Sequence, residues 1–438
     1  MLLPTRRPVL LAATRASWLL LAFVAGAAVH YYRVPPGQFL DDAFRAARAW
    51  RIQRQALATP YPLASFHKAR TDARGVTVHV PDRAWDGYVA YSAPTAEPGV
   101  ELIDLTGQRL RSWPVPFEAL RRSAIGERLP DRAHSLIVRR AHLHPDGHAL
   151  AILESSAGRT PWGIGLILLG PQAELRWVYP GFAHHDLSLA PDGRIFVLVQ
   201  EVLKERIEGV PFEPPMIVDA VVELSPDGRE LGRTYVPQAI RDSAFAHVLD
   251  FDAQASRGDY LHVNSVRYID EATAATFPFA REGQVAVYAR QIDALVVVDL
   301  TTKRATWIRF GFWRRGHDPD LLPNGNVLLF DNEGVYGPGG TSRLVEVDLE
   351  TMALVWEYRG TPSQPLKSRT RAGQQRLENG NTFIFETAAG RLLEVTPSKE
   401  IVWEYYHPQR LKQGKVIPPM VWAERFAPDY FTPGLLRP

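Results

Sequence analysis

From Gly75 onward, short apolar runs alternate with polar turns in one recurring formula. Tight turns stand at Pro145-Asp-Gly, Pro191-Asp-Gly, Arg257-Gly-Asp, Pro323-Asn-Gly and Glu378-Asn-Gly. Each is followed by a strand: HALAILE, RIFVLVQE, YLHVNSV, NVLLFDN and NTFIFET. Asp-Gly and Asn-Gly between apolar runs mark hairpins, because tight turns need positive φ. The cycles close on ELIDLTGQRLRSW, GLILLGPQAELRWVY, AVVELSPDGRELGRTY, LVVVDLTTKRATW, LVEVDLETMALVWEY and LLEVTPSKEIVWEY, which makes six closures. Strand follows strand with no helical segment between, which excludes a doubly wound α/β sheet. The turn glycines are 46 to 67 residues apart, which suits four-stranded blades with loops of varying length. The pattern predicts an all-β chain with a single six-bladed β-propeller over residues 76–438. Its tail, VIPPMVWAERFAPDYFTPGLL, supplies a closing strand or covers a blade edge.

Ahead of the repeat the pattern changes. Arg6, Arg7 and Arg15 precede an apolar run from Ala16 to Val29, with Tyr31 and Tyr32 just beyond. Residues 1–33 thus read as an uncleaved single-pass transmembrane anchor, or as a signal segment cut near Ala25-Gly26-Ala27. The anchor is the expectation carried forward. Positive charge on its N-terminal side places the propeller outside the cytoplasm, on the periplasmic face of the inner membrane. Residues 34–75 read as a short amphipathic spacer helix, about 37–57, followed by a proline-containing linker.

Composition narrows the chemistry. Fifty Lys+Arg against 48 Asp+Glu leave a formal charge of +2, so nothing electrostatic argues for a nucleic-acid partner. Zero cysteines exclude disulfides, thiolate metal sites and cysteine nucleophiles. The histidines remain. His185-Asp186 and His317-Asp318 each stand six residues before a turn proline, Pro191 and Pro323. Equivalent blade geometry therefore aims both imidazoles at the central channel, with His184 as the alternative to its neighbour because adjacent strand residues face opposite ways. His262 and Asn264 are two apart, hence on one strand face, and Arg290 opens the strand that follows. Three imidazoles, an amide and a guanidinium suit an oxyanion. His142, His144 and His148 read as hairpin histidines in preference to a zinc site, and no metal or cofactor is expected. Trp313 and Tyr336 are read first as wedges between blades and second as clamps on an aryl ring.

Along HHDLSLAPDGRIFVLVQE, DYLHVNSV, ARQIDALVVVDL, GHDPDLLPNGNVLLFDNEG, QRLENGNTFIFETAAGRLLEVTPSKEIVWEY and the terminal AERFAPDY, the chain resembles the bacterial arylsulfotransferase family. The most specific stretch runs from His317 to Asn332. The resemblance implies a six-bladed propeller that transfers a sulfuryl group from an aryl sulfate to a phenol without a nucleotide sulfate donor. By motif it gives His317 the role of the transiently sulfurylated histidine. His185, His262, Asn264 and Arg290 then contact the sulfate oxygens, with His185 able to serve as acid and base. Asn332 and His184 join the expected substrate contacts. The chain lacks the cysteine pair of the family's better-known members. Two other readings compete: a non-catalytic propeller serving as an assembly module of a membrane complex, and a quinoprotein dehydrogenase. The second is suggested by the Asp299–Trp307 and Asp348–Trp356 segments, which resemble tryptophan-docking repeats and are read here as glue between blades.

Overall fold

A computed structural model describes residues 7–32, 37, 39, 43, 66–155, 161–212, 214–250, 258–335 and 341–436. Two units are distinguished, Met1–Thr59 and Pro60–Pro438. In the first, Arg7–Tyr31 forms an α-helix. The run free of charge, Ala16–Val29, extends about 21 Å at 1.5 Å per residue, against a hydrocarbon core of about 30 Å. Among the described residues, no helix is long and apolar enough to cross a membrane. Tyr336 and nearly all of the 37–57 segment lie outside the described residues.

The second unit is a six-bladed β-propeller. Its first blade joins Tyr88–Ser92, Gly99–Asp104 and Arg109–Pro114 to an innermost strand, Trp422–Phe426, brought from the far end of the chain. The next four blades are each contiguous in sequence, with innermost strands Leu136–Leu143, Ala183–Leu189, Val263–Tyr268 and His317–Leu321. The sixth runs outward from Gly373–Arg376 to Ile401–Tyr406 and takes Gly75–His79 as a fifth, outer strand. The ring is therefore stitched twice, by a strand from each end of the unit.

Strand alternation builds the core. In Val285–Ala289, Val285, Val287 and Ala289 pack toward the third blade, while Ala286 and Tyr288 pack toward the fifth. Both faces of a blade are covered by its neighbours, so its second and third strands read as largely apolar runs, as in Val285–Ala289 and Ala294–Asp299. Among the described residues the buried apolar side chains fall into six clusters, each shared by two adjacent blades. Indoles lock the same seams. Trp113 Nε1 donates to Gly147 O of the second blade at 2.7 Å, Trp356 Nε1 to Pro397 O of the sixth at 2.9 Å, and Trp403 Nε1 to Leu105 O of the first at 2.9 Å. Asp299 and Asp348 cap turns, accepting from Thr301, Thr302, Glu350 and Thr351 N–H groups.

One turn stands elsewhere than the repeat suggests. Gly147, Gly193, Gly325 and Gly380 join the first and second strands of their blades, but Gly258 precedes the first strand of the fourth. The equivalent turn there is at Gly283, displaced by an inserted helix, Glu271–Thr276.

Candidate functional site

At the end of the propeller where the innermost strands begin, the pairing register breaks in four of them. The breaks fall between Val138 and Arg140, Ala183 and Leu187, Val263 and Ser265, and His317 and Asp320. His185, His262 and Asp318 hold left-handed backbone there, with φ of 55°, 50° and 54°. Such bulges re-aim side chains that regular alternation would send to the opposite face. They converge on a cavity of about 270 Å³ lined by Arg139, Glu154, Trp162, His185, His262, Arg290, His317, Thr370 and Arg371, among others. The His185 and His262 rings lie 5.0 Å apart, and Trp162 meets them edge-on at 5.6 and 4.8 Å.

His317 is held by hydrogen bonds at both ring nitrogens. Its Nδ1 donates to Asn332 Oδ1 at 2.7 Å, while Asn332 Nδ2 donates to Ser368 O at 2.5 Å and Arg371 O at 2.7 Å. Both amide protons of Asn332 are spoken for, so its oxygen must accept and the histidine's proton sits on Nδ1. The lone pair is left on Nε2, where the Arg371 N–H points at 3.2 Å. Burial first, then the Arg290 and Arg139 guanidiniums, hold this imidazole well below its ordinary pKa. His317 is thus neutral, oriented and nucleophilic at one nitrogen.

The other two histidines have different backing. His262 Nδ1 meets Asp259 Oδ2 at 2.5 Å, a contact that orients the ring. His185 Nδ1 meets His184 Nδ1 at 2.6 Å, and His184 Nε2 lies 3.3 Å from Asp219 Oδ1. Burial, then Arg139 and the neighbouring imidazoles, keep His185 well below its ordinary pKa. Arg290 closes the ring. Its N–H donates to His262 O at 3.2 Å, and no acceptor among the described residues binds its buried guanidinium, which burial and then Arg315 pull below its usual pKa.

Beyond His185 and His317 a smaller void of about 20 Å³ is lined by Arg140, Asp186, Asn264 and Asp318 among others, and it shares those two histidines as walls. Arg267 binds both Asp186 and Asp318 through its two Nη atoms, and Arg140 Nε lies 3.1 Å from Asp186. Burial and the neighbouring Asp318 push the Asp320 carboxyl up to about 7.

The structure brings His317, His185, His262 and Arg290 to one cavity. Three expected substrate contacts lie elsewhere. His184 is turned outward to Asp219, because the left-handed His185 takes the inward place. Asn264 faces the smaller void and donates to Gly316 O at 2.8 Å. It does not share a face with His262, since His262 precedes the regular strand in left-handed backbone. Asn332 stands behind His317 as its orienting partner. Trp313 is fully buried between blades and donates to Asp293 O at 2.9 Å. His142 and His144 meet edge-on at 4.8 Å, and among the described residues no group of three histidines or carboxylates is arranged to hold a metal ion.

Sequence reasoning missed Arg139, Glu154, Trp162, Thr370 and Arg371 on the cavity wall. Arg139 had a signal: it stands six residues before Pro145, the spacing that singled out His185 and His317. Trp162 and Arg371 lie in loops outside the repeat and had none.

Residues 176–408 match the family described as Arylsulfotransferase (ASST). No curated protein matches the chain. Among solved structures, a protein of unknown function from Bacteroides caccae is 12% identical with a TM-score of 0.47, covering 76% of this chain and 99% of its own. Virginiamycin B lyase from Staphylococcus aureus is 10% identical with a TM-score of 0.40, covering 81% and 94%.

Proposed function

The chain belongs to the arylsulfotransferase family, and from that premise we propose that it carries a sulfuryl group from an aryl sulfate to a phenol by way of a sulfohistidine at His317. The observation that carries the reading is the state of His317: proton on Nδ1, lone pair on Nε2, in a cavity shared with the Arg290 guanidinium, which no acceptor among the described residues binds. In the first half-reaction Nε2 attacks sulfur in line with the aryl oxygen. The N–S bond forms as the S–O bond breaks, and its electron pair leaves on the phenolate, which takes a proton from His262. In the second half His262 recovers a proton from the acceptor phenol, the phenol oxygen attacks sulfur, and the pair of the N–S bond returns to Nε2. Splitting one displacement in two is the usual gain of nucleophilic catalysis.

His262 rather than His185 takes the acid–base role because its Nδ1 is anchored on the Asp259 carboxylate, which fixes the ring with Nε2 toward the substrate, whereas Nδ1 of His185 is engaged by a second imidazole. Arg290 supplies the positive charge that the peripheral sulfate oxygens need. Asn332 matters for the intermediate. Being a neutral acceptor, it leaves the proton on Nδ1, so the sulfurylated ring stays cationic and remains a good leaving group. The Arg371 N–H, displaced from Nε2 by the incoming sulfur, is then adjacent to a sulfate oxygen.

The same proposal sets the propeller outside the cytoplasm, on the strength of Arg6, Arg7 and Arg15 ahead of the apolar run. The test of the chemistry uses the full chain with 4-nitrophenyl sulfate. Nitrophenol release is expected to depend on added phenol, to fall by roughly 10³-fold or more in His317→Ala, and to leave a sulfurylated His317 peptide visible by mass spectrometry without acceptor. Release unaffected by His317→Ala rejects the nucleophile. No release with any aryl sulfate rejects the reaction in favour of a binding module.

A further inference from the structure

The cavity holds more positive charge than a sulfate ester can use. Arg139 and Arg371 both line it, with Glu154 between them. Glu154 Oε1 lies 3.5 Å from Arg139 Nε and Oε2 lies 3.6 Å from Arg371 Nη2, so the carboxylate faces both guanidiniums at ion-pair distance. Glu154 Oε1 is buried with no hydrogen-bond partner among the described residues. Arg139 is only 6% exposed, and besides Glu154 its guanidinium reaches one backbone acceptor, Val421 O at 3.4 Å. Buried charges of this kind normally engage a bidentate partner.

The charge balance then decides. Three guanidiniums face the cavity against a single carboxylate, and two of the three imidazoles are held neutral. An aryl sulfate brings one negative charge, which Arg290 answers. One positive charge is left over, and it lies on the Arg139–Arg371 wall. The volume of about 270 Å³ lies just below the usual range of ligand pockets, roughly 300–1,000 Å³, which favours a single substituted ring over a larger acceptor.

We propose that Arg139 and Arg371 form a second anion subsite, and that the substrates are aryl sulfates and phenols whose ring carries a carboxylate. Donor and acceptor occupy the same aryl space in turn, so one subsite serves both. This deepens the sulfuryl-transfer reading and rests on it. Glu154 plays the part of a placeholder: it keeps the two guanidiniums apart and partly neutralised until the substrate carboxylate arrives.

The first arm of the test needs no turnover. Benzenesulfonate and the 3- and 4-sulfobenzoates contain a carbon–sulfur bond that cannot be transferred, and their binding to the full chain is measured by calorimetry. At least one dianion is expected to bind roughly tenfold tighter than the monoanion, the worth of one charge-assisted contact. In Arg371→Met, which keeps the backbone N–H at His317, the two should bind alike, and Arg371→Lys should recover part of the difference. Equal binding by the unaltered chain, or a preference that survives Arg371→Met, overturns the subsite. The second arm compares phenol with 3- and 4-hydroxybenzoate as acceptors for 4-nitrophenyl sulfate. A kcat/KM preference for a hydroxybenzoate that collapses in Arg371→Met supports the proposal. Turnover without such a preference overturns it and leaves the transfer reading standing. Dianion binding with no turnover at all instead faults the transfer reading.

Discussion

Two arginines of the same blade, Arg267 and Arg290, end in opposite situations. Arg267 lies below the histidines, and its guanidinium engages Asp186 and Asp318 while its Nε lies 3.6 Å from Asp320. Arg290 lies beside the histidines, buried, and has no acceptor among the described residues. Asp186 and Asp318 each follow a cavity histidine directly, so Arg267 ties together the two strands that present His185 and His317. The lower arginine spends its charge on the fold. The upper one keeps its charge available, and burial without a partner is tolerable there because an anionic substrate completes the site. Satisfied charge marks structure and unsatisfied charge marks function, which is why perturbed groups gather at sites that act.

The largest effect expected from breaking this contrast is on the lower side. Arg267→Met removes one of the two guanidiniums that Asp186 and Asp318 share, leaving Arg140 at 3.1 and 3.6 Å, and the loss of one member of a buried ionic network costs about 3–5 kcal/mol. Denaturant unfolding of the propeller measures it. Arg290→Met should do the reverse. Its stability cost should stay below about 1 kcal/mol, since no acceptor among the described residues loses a contact, while kcat/KM for an aryl sulfate falls by roughly 10²–10³-fold. If Arg290→Met proves as destabilising as Arg267→Met, the two guanidiniums are alike and the contrast fails.

A mid-sized effect separates burial from chemistry. His317 and His185 are neutral in the folded chain, with pKa values lowered chiefly by burial. An unfolded imidazole takes its proton near pH 6.5. Below that, the unfolded chain binds protons that the folded one refuses, so stability falls as pH drops, by about 1.4 kcal/mol per pH unit for each such histidine. His407, outside the cavity, is lowered to about 3 by burial and then Arg410, and it adds an equal slope over the window from 6.5 down to about 3. His317→Asn and His407→Asn should each flatten the acid limb of the stability curve by one histidine's share. Only His317→Asn should abolish transfer. A slope that neither variant changes would mean the acid sensitivity lies with other groups, such as the carboxylates around Arg267.

What the sequence disclosed follows the same division. Blade count and strand identity were legible because the middle strands of each blade are buried on both faces and five of the six closures carry a tryptophan, the third ending instead on Tyr235. His185 and His317 were legible because both stand at one fixed distance before a turn proline. That arithmetic also reaches Arg139 before Pro145, although a search for histidines passed over it. Asp259 was hidden by the Arg257-Gly258-Asp259 turn reading; the helix Glu271–Thr276 had moved the true turn to Gly283, freeing Asp259 to back His262. The facing of His262 relative to Asn264, and of His184 relative to His185, was set by bulges, and a bulge leaves no period in the residue pattern. Trp162 and Arg371 enter from loops, and only the closed ring brings them to the wall.

The smallest effect guards the contrast against a simpler account in which any arginine pair near the mouth counts. Arg369 is 73% exposed in its side chain and meets Glu333 Oε1 at 3.1 Å, the same partner chemistry as Arg267 but in solvent. Screening and side-chain entropy reduce such a pair to about 0–1 kcal/mol. Arg369→Gln should therefore shift unfolding by no more than about 0.5 kcal/mol, and that small shift should shrink further as salt is raised. It should also leave untouched the tenfold discrimination between sulfobenzoate and benzenesulfonate. A large loss of stability in Arg369→Gln would show that burial is not what distinguishes the lower network. A loss of discrimination would move the second anion subsite from the Arg139–Arg371 wall out to the rim.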